Sequence, residues 1–207
     1  AVTAYRAMGY YCPKIIINKN GNAAETVEYE DRQCVVYAEE LSRLQTADQL
    51  GATGMLQNGR TIYHDSALRF LCEVGSARLD FADFPSGLCI LERFCPSDPC
   101  DEIMECALEF KEIIEGQFPQ YRERFQRIWS GFLANRSALE QIYGQLPVSV
   151  FQADLNATNI LLDDEMRFAG VLDFNLCGRD TVLNVLFRER WINFDEDIPA
   201  KRENNMD

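Results

Sequence analysis

Residues 151–174 read FQADLNATNILLDDEMRFAGVLDF, and no other stretch limits the fold as tightly. The apolar run NILL, the polar DDEM and the second run RFAGVLDF predict a β-hairpin, with Asn159 opening the first strand and Asp173 near the end of the second. Folding back around residues 163–166 brings both ends to one edge of the sheet, within about 10 Å at about 3.3 Å per residue. Asp154 lies five residues before Asn159, so a tight loop would aim it at the same place. The plainer reading is an Asp-rich hairpin whose Asp154 and Asn159 only organise a turn.

The chemistry suited to such a trio is phosphoryl transfer. That reaction asks for Mg²⁺ to neutralise phosphate oxygens and for a carboxylate to accept the proton of the attacking hydroxyl. Mg²⁺ takes hard oxygen ligands and keeps waters, so one carboxylate and one amide oxygen suffice when a nucleotide supplies the rest.

Around the hairpin, the opening AVTAYRAMGYY predicts the end of a helix stopped near Gly9, then Pro13 and a strand-like KIIINKNG. ETVEYEDRQCVVYAEEL alternates on both sides of Glu30-Asp31-Arg32 and predicts two antiparallel strands, the second over 34–37. From Ala38 the pattern turns helical through EELSRLQTADQL, closed by Gly51 and Gly54. A helix is expected over 66–74 with Asp65 as its N-cap. In SDPCDEIMECALEFKEIIEG, Asp98 can cap, Pro99 suits the first helical position, and Asp101 and Glu102 favour the positive end. Ile103, Ala107, Phe110 and Ile114 then form one apolar face. A further helix over 121–143 carries Phe125, Ile128, Trp129, Phe132, Leu139 and Ile142, a stripe expected in the core. LCGRDTVLNVLFRERWINF offers one helix more, and the closing NFDEDIPAKRENNMD reads as solvated and loosely ordered. Strands first, then helices around a hairpin, predict an α+β protein.

With 33 acidic against 20 basic residues the formal net charge is −13, a field that repels phosphate backbones and anionic lipid. Nucleic acid and membrane partners are therefore not expected. No run of about 18 uncharged apolar residues appears, and the opening lacks the basic-then-apolar order of a signal peptide, so a cytoplasmic protein is expected. The eight cysteines include Cys89, Cys95, Cys100 and Cys106, but no C-x-x-C pair exists and the single histidine, His64, stands alone in TIYHDS. Buried free thiols are the expectation, rather than zinc ligands.

The order Asp154, four residues, Asn159, apolar strand, turn, and GVLDF with Asp173-Phe174 resembles the aminoglycoside phosphotransferase and choline kinase-like group of small-molecule kinases. The resemblance implies a protein kinase-like fold: residues 1–40 as part of the small β lobe, and 41–207 as a mainly helical lobe carrying the catalytic loop and hairpin at 151–175. It implies Asp154 as catalytic base, Asn159 and Asp173 as Mg²⁺ ligands, and ATP or GTP as the nucleotide. The backbone of Tyr37, Ala38 and Glu39 would be the hinge facing the adenine. Gln152 stands where the family usually has His, able to hydrogen-bond but not to carry charge. Asn175 stands in place of Gly after Asp173-Phe174, tolerating left-handed angles better than most residues. Neither a Gly-rich phosphate loop nor a strand lysine precedes the resemblance, since Lys14 and Lys19 come too late in the order. A chain truncated at both ends is implied, or one that has lost transfer.

Two functions follow from this. One is a phosphotransferase moving a γ-phosphate to a hydroxyl of a small, amine-bearing substrate, with Asp80, Asp83, Glu92, Asp98 and Glu102 supplying negative charge. The other is a kinase-like binding or scaffold protein without turnover. A lobe cut through a helix would also expose apolar surface, through which a homodimer would form.

Overall fold

Two adjacent left-handed residues, Glu30 (φ 49°) and Asp31 (φ 61°), close the turn between β1 (Glu25–Tyr29) and β2 (Arg32–Val36). Successive positive φ values make a type I′ turn, whose twist matches that of the flanking strands. Tyr29 pairs with Arg32 and Glu25 with Val36. The second strand therefore begins two residues earlier than alternation predicts. The computed structural model describes residues 1–91 and 100–192; among them, helices mix with four two-stranded antiparallel sheets, an α+β composition. The described chain divides into two compact units, one holding Ala1–Phe70 with Asp154–Phe174, the other Leu71–Ala153 with residues 175–192. The hairpin thus groups with the first seventy residues.

In the first unit, α1 (Val2–Ala7) ends before Gly9, whose φ of 95° suits glycine. The hairpin itself is β6 (Ile160–Leu162) and β7 (Phe168–Val171), with Ile160 opposite Val171. Single extended segments widen it on both edges. Tyr11 N–H donates to the Ala169 carbonyl (2.8 Å) and Val171 N–H to the Tyr11 carbonyl (3.1 Å). On the far side Ala47 N–H donates to Ile160 (2.9 Å) and Leu162 N–H to Gln45 (3.2 Å). Both strands are buried, and an aromatic cluster packs beside them: Phe70 meets Phe168 (4.7 Å between centroids), Tyr10 (4.7 Å) and Tyr5 (5.1 Å), while Tyr5 also meets Phe174 (5.9 Å). Rings at these spacings add about 0.5–1.5 kcal/mol each beyond the area they bury.

The hairpin turn is held by Asp163. Its Oδ1 accepts the N–H groups of Glu165 and Arg167 (2.9 Å each), and its Oδ2 accepts the Arg167 guanidinium (2.9 and 3.0 Å). Partial desolvation pushes the pKa of this carboxyl up, but the hydrogen bonds from Arg167 and Glu165 together outweigh it and hold the pKa below the ordinary value. A depressed folded pKa gives stability that is present above the ordinary carboxylate range and lost as pH falls through the folded value. The urea midpoint of the protein should therefore fall between about pH 5 and about pH 3, and Asp163→Asn should remove part of that fall.

Three expectations are corrected. The helix expected from Ala38 to Leu50 does not form. Thr46 and Gln49 exchange reciprocal bonds instead, Gln49 Oε1 accepting Thr46 N–H (2.9 Å) and Thr46 Oγ1 accepting Gln49 N–H (3.1 Å). This is a capping box that yields a single turn, because residues 45–47 are already committed to β6. KIIINKNG contributes only an isolated bridge, Ile15 with Glu39. Asp65 lies inside the first turn of α2 (His64–Ala77) rather than capping it.

In the second unit α3 (Glu102–Gln117) is capped by Asp101, whose carboxylate accepts Met104 N–H (3.2 Å); Asp98, Pro99, Glu92 and Cys95 lie outside the described residues, as does the tail beyond residue 192. α4 (Arg122–Tyr143) matches the periodicity, yet its stripe is only partly covered: Ile128 is 60% and Ile142 47% exposed, and Phe110 on α3 is 54% exposed. Two short strands were not expected, β5 (Val148–Phe151) and β8 (Gly178–Thr181), paired from Val148–Thr181 to Phe151–Gly178. α5 (Val182–Ile192) follows directly. The cysteines described are free thiols; Cys12 and Cys89 are buried as expected, whereas Cys72 and Cys106 are exposed. Burial pushes the Cys12 and Cys177 thiols up to about 11, which keeps them protonated and unreactive.

Candidate functional site

The loop DLNATN leads into β6 through a dense set of short-range bonds. Asn156 Oδ1 accepts Thr158 N–H (2.9 Å) and the Thr158 hydroxyl, and the Asn156 carbonyl accepts Asn159 N–H (2.9 Å). A side chain that bonds main chain two residues on gives the loop its shape without a helix or ladder. Inside this frame Asp154 and Asn159 touch. Asn159 Nδ2 donates to Asp154 Oδ2 (2.9 Å) and to the Asp154 carbonyl (3.0 Å), while Asn156 Nδ2 donates to Asp154 Oδ1 (2.9 Å).

The consequence for Asn159 is directional. Its amide nitrogen is engaged with Asp154, which leaves Oδ1 as its acceptor, met by the Thr158 hydroxyl at 3.4 Å. Asn159 is 7% exposed and Asp154 half-buried. Asp173 reaches the same edge by register. Leu172 N–H donates to the Asn159 carbonyl (2.8 Å), so Asp173 stands one residue beyond the position opposite Asn159. Strand spacing and rise put the two Cα atoms about 6 Å apart. Asp173 is exposed and left-handed (φ 52°), and that conformation turns the chain out of β7. A positive φ is uncommon for a residue other than glycine, though aspartate adopts it more readily than most.

No family model matches this chain, and no curated protein matches it. Its chemistry is therefore to be sought in the site itself. Asp154 and Asn159, which touch, and Asp173 at the end of β7 each carry oxygen donors, the hard kind of ligand that Mg²⁺ accepts. Among the described residues no three His, Cys, Asp or Glu side chains gather around one point. Two carboxylates and an amide are a smaller set, adequate only where phosphate oxygens and water complete the shell.

At the expected hinge, Ile16 N–H donates to the Ala38 carbonyl (2.8 Å) and Glu40 N–H to the Lys14 carbonyl (2.9 Å). Alternation along an extended strand then turns the main-chain groups of Glu39 to the opposite edge. Tyr37 is 54% exposed. Gln152 and Asn175, expected to support the site, both group with the second unit; Gln152 is 1% exposed and Asn175 lies in an exposed turn. The left-handed residue of this turn is Asp173, not Asn175. Asp80, Asp83 and Glu102 are exposed carboxylates of the second unit. Asn156 is the site residue that motif reading missed, although the spacing Asp-x-Asn-x-Thr carries the Asx-turn signal.

Proposed function

We propose that this chain carries the proton-accepting and metal-holding part of a kinase-like, small-molecule phosphotransferase, moving the γ-phosphate of ATP or GTP to a hydroxyl. The observation that carries this reading is the direct pairing of Asp154 with Asn159 on the edge where Asp173 leaves β7. Asn159 Oδ1 and the Asp173 carboxylate would hold Mg²⁺, which when bound supplies positive charge to the phosphate oxygens. Each Asp154 oxygen already accepts one amide hydrogen, and a carboxylate oxygen has room for a second donor. The two amides fix the carboxylate's orientation, so the incoming hydroxyl meets a base already in place and passes its proton to it. The edge bearing Tyr37 and Glu39 would receive the adenine, with Ala38 holding the strand through its bond to Ile16. A net charge of −13 suits an amine-bearing acceptor.

Thermal melting of the full-length protein with Mg-ATP tests the reading. At 100 times its dissociation constant the nucleotide should add about 2.7 kcal/mol of stability. No shift, with either Mg-ATP or Mg-GTP, would end the nucleotide-binding claim. A shift without transfer to any hydroxyl compound would identify a kinase-like binding protein instead.

A further inference from the structure

Ala153, immediately before the proposed base, is left-handed (φ 70°) and 3% exposed. A buried alanine holds that conformation only where surrounding bonds over-determine it. One such bond comes from far along the chain: Arg188 Nη2 on α5 donates to the Ala153 carbonyl at 3.0 Å. The arginine has in turn a buried counter-charge. Arg188 Nη1 lies 4.0 Å from Asp180 Oδ2, with side chains 18% and 0% exposed. The Asp180 carboxylate is itself fixed, by the Ser86 hydroxyl (3.0 Å), Asn184 Nδ2 (2.9 Å) and the N–H of Thr181 (2.7 Å). Ala153, Arg188, Asp180, Ser86, Thr181 and Asn184 all belong to one compact unit, and Asp154, bonded to Ala153 through the peptide, is the first residue of the other unit's second segment.

We propose that Arg188, seated on Asp180, is a positioning residue for the phosphotransfer reaction: it fixes the peptide plane that joins Ala153 to Asp154 and so aims the base. The carbonyl that Arg188 holds and the N–H of Asp154 are two ends of one planar peptide group, so fixing one end fixes the other. A guanidinium suits the task because it is always charged and offers a rigid fork, one arm to the carbonyl and one toward the carboxylate. The inference rests on the phosphotransferase reading for its catalytic consequence, but not for its geometric one.

Two measurements on the full-length protein separate the two. The first is hydrogen exchange at the Asp154 amide, which needs no activity. Arg188→Met should speed exchange there by about tenfold or more relative to the amides of β5, because local opening is governed by the bonds holding that segment. The second is hydrolysis of Mg-ATP, with water as the acceptor. Arg188→Met should lower kcat about tenfold with KM within about twofold, Arg188→Lys should recover part of the loss, and Arg188→Met added to Asp154→Asn should cost nothing further, since residues acting as a unit are not additive. Should Arg188→Met fail to fold, Arg188→Lys serves alone: faster Asp154 exchange and a kcat between wild type and zero with KM kept support the proposal. Unchanged exchange in a folded variant overturns the positioning. Unchanged kcat in a protein that Asp154→Asn inactivates overturns its catalytic role. A wild-type protein that neither binds nor hydrolyses Mg-ATP removes the phosphotransferase reading, and the catalytic half of this one with it.

Discussion

Replacing Gly170 by alanine should destabilise the unit that carries the hairpin by about 3 kcal/mol. A Cβ built on Gly170 would lie 1.8 Å from the Tyr11 carbonyl oxygen and 2.6 Å from its carbon. Nothing flexible is there to yield. The blocking atoms are main chain, and that chain is pinned on either side of Gly170 by Tyr11 N–H to Ala169 and Val171 N–H to Tyr11. The variant must break both bonds or shift β7, with Phe168 and its aromatic neighbours. Urea unfolding at neutral pH reads the effect. Gly131→Ala is the opposing control: that glycine sits within α4 with nothing within 4 Å of a new Cβ, and alanine there should stabilise by about 1 kcal/mol. Equal midpoints for Gly170→Ala and wild type would mean that Tyr11 is not held against the hairpin.

Asp154→Asn should cut transfer by about 10²–10⁴ while leaving Mg-ATP affinity nearly unchanged, the signature of a lost general base. The substitution keeps shape but not the full bonding: its single amide oxygen accepts from one of Asn156 and Asn159 while its NH2 faces the other. The loss is about 1 kcal/mol of stability, to be checked by thermal melting of the variant alongside turnover. Asp173→Asn should behave differently, weakening Mg-ATP binding itself, because a neutral amide is a poorer partner for the cation than a carboxylate. Rapid-mix turnover with a thermal-shift titration of each variant distinguishes the two roles. Full turnover in Asp154→Asn would remove that residue from the chemistry.

How much of this could be read from residue order depends on how local each feature is. The hairpin was legible because its apolar runs, its turn at Asp163 and the residues at both ends lie close together in sequence, and its register brings the backbones of Asn159 and Asp173 to one end of the ladder. α3 and α4 were legible from periodicity, and β1 with β2 from alternation. The stretch from Ala38 to Leu50 was misread for a physical reason: its apolar spacing suits a helix, but Thr46 and Gln49 satisfy one another's main chain while Ala47 and Gln45 bond β6, a long-range preference that no local window contains. β5 and β8 escaped because four-residue strands carry little pattern and each finds its partner across a gap in sequence. At the site, Asn156 had a readable spacing. Arg188 had none, since nothing in RERW points to a carbonyl thirty-five residues earlier.

The chain order of the first unit also bears on how the protein is made. Its central ladder joins Tyr11 and residues 45–47 to strands that begin only at Ile160, with the whole of Leu71–Ala153 emerging in between. A nascent polypeptide therefore has α1 and the segment at Tyr11 outside the ribosome long before the strands they pack and pair with have been translated. Contacts of such high order close slowly and leave apolar edges waiting, a window in which a chaperone would act on the amino-terminal segment rather than on the finished domain.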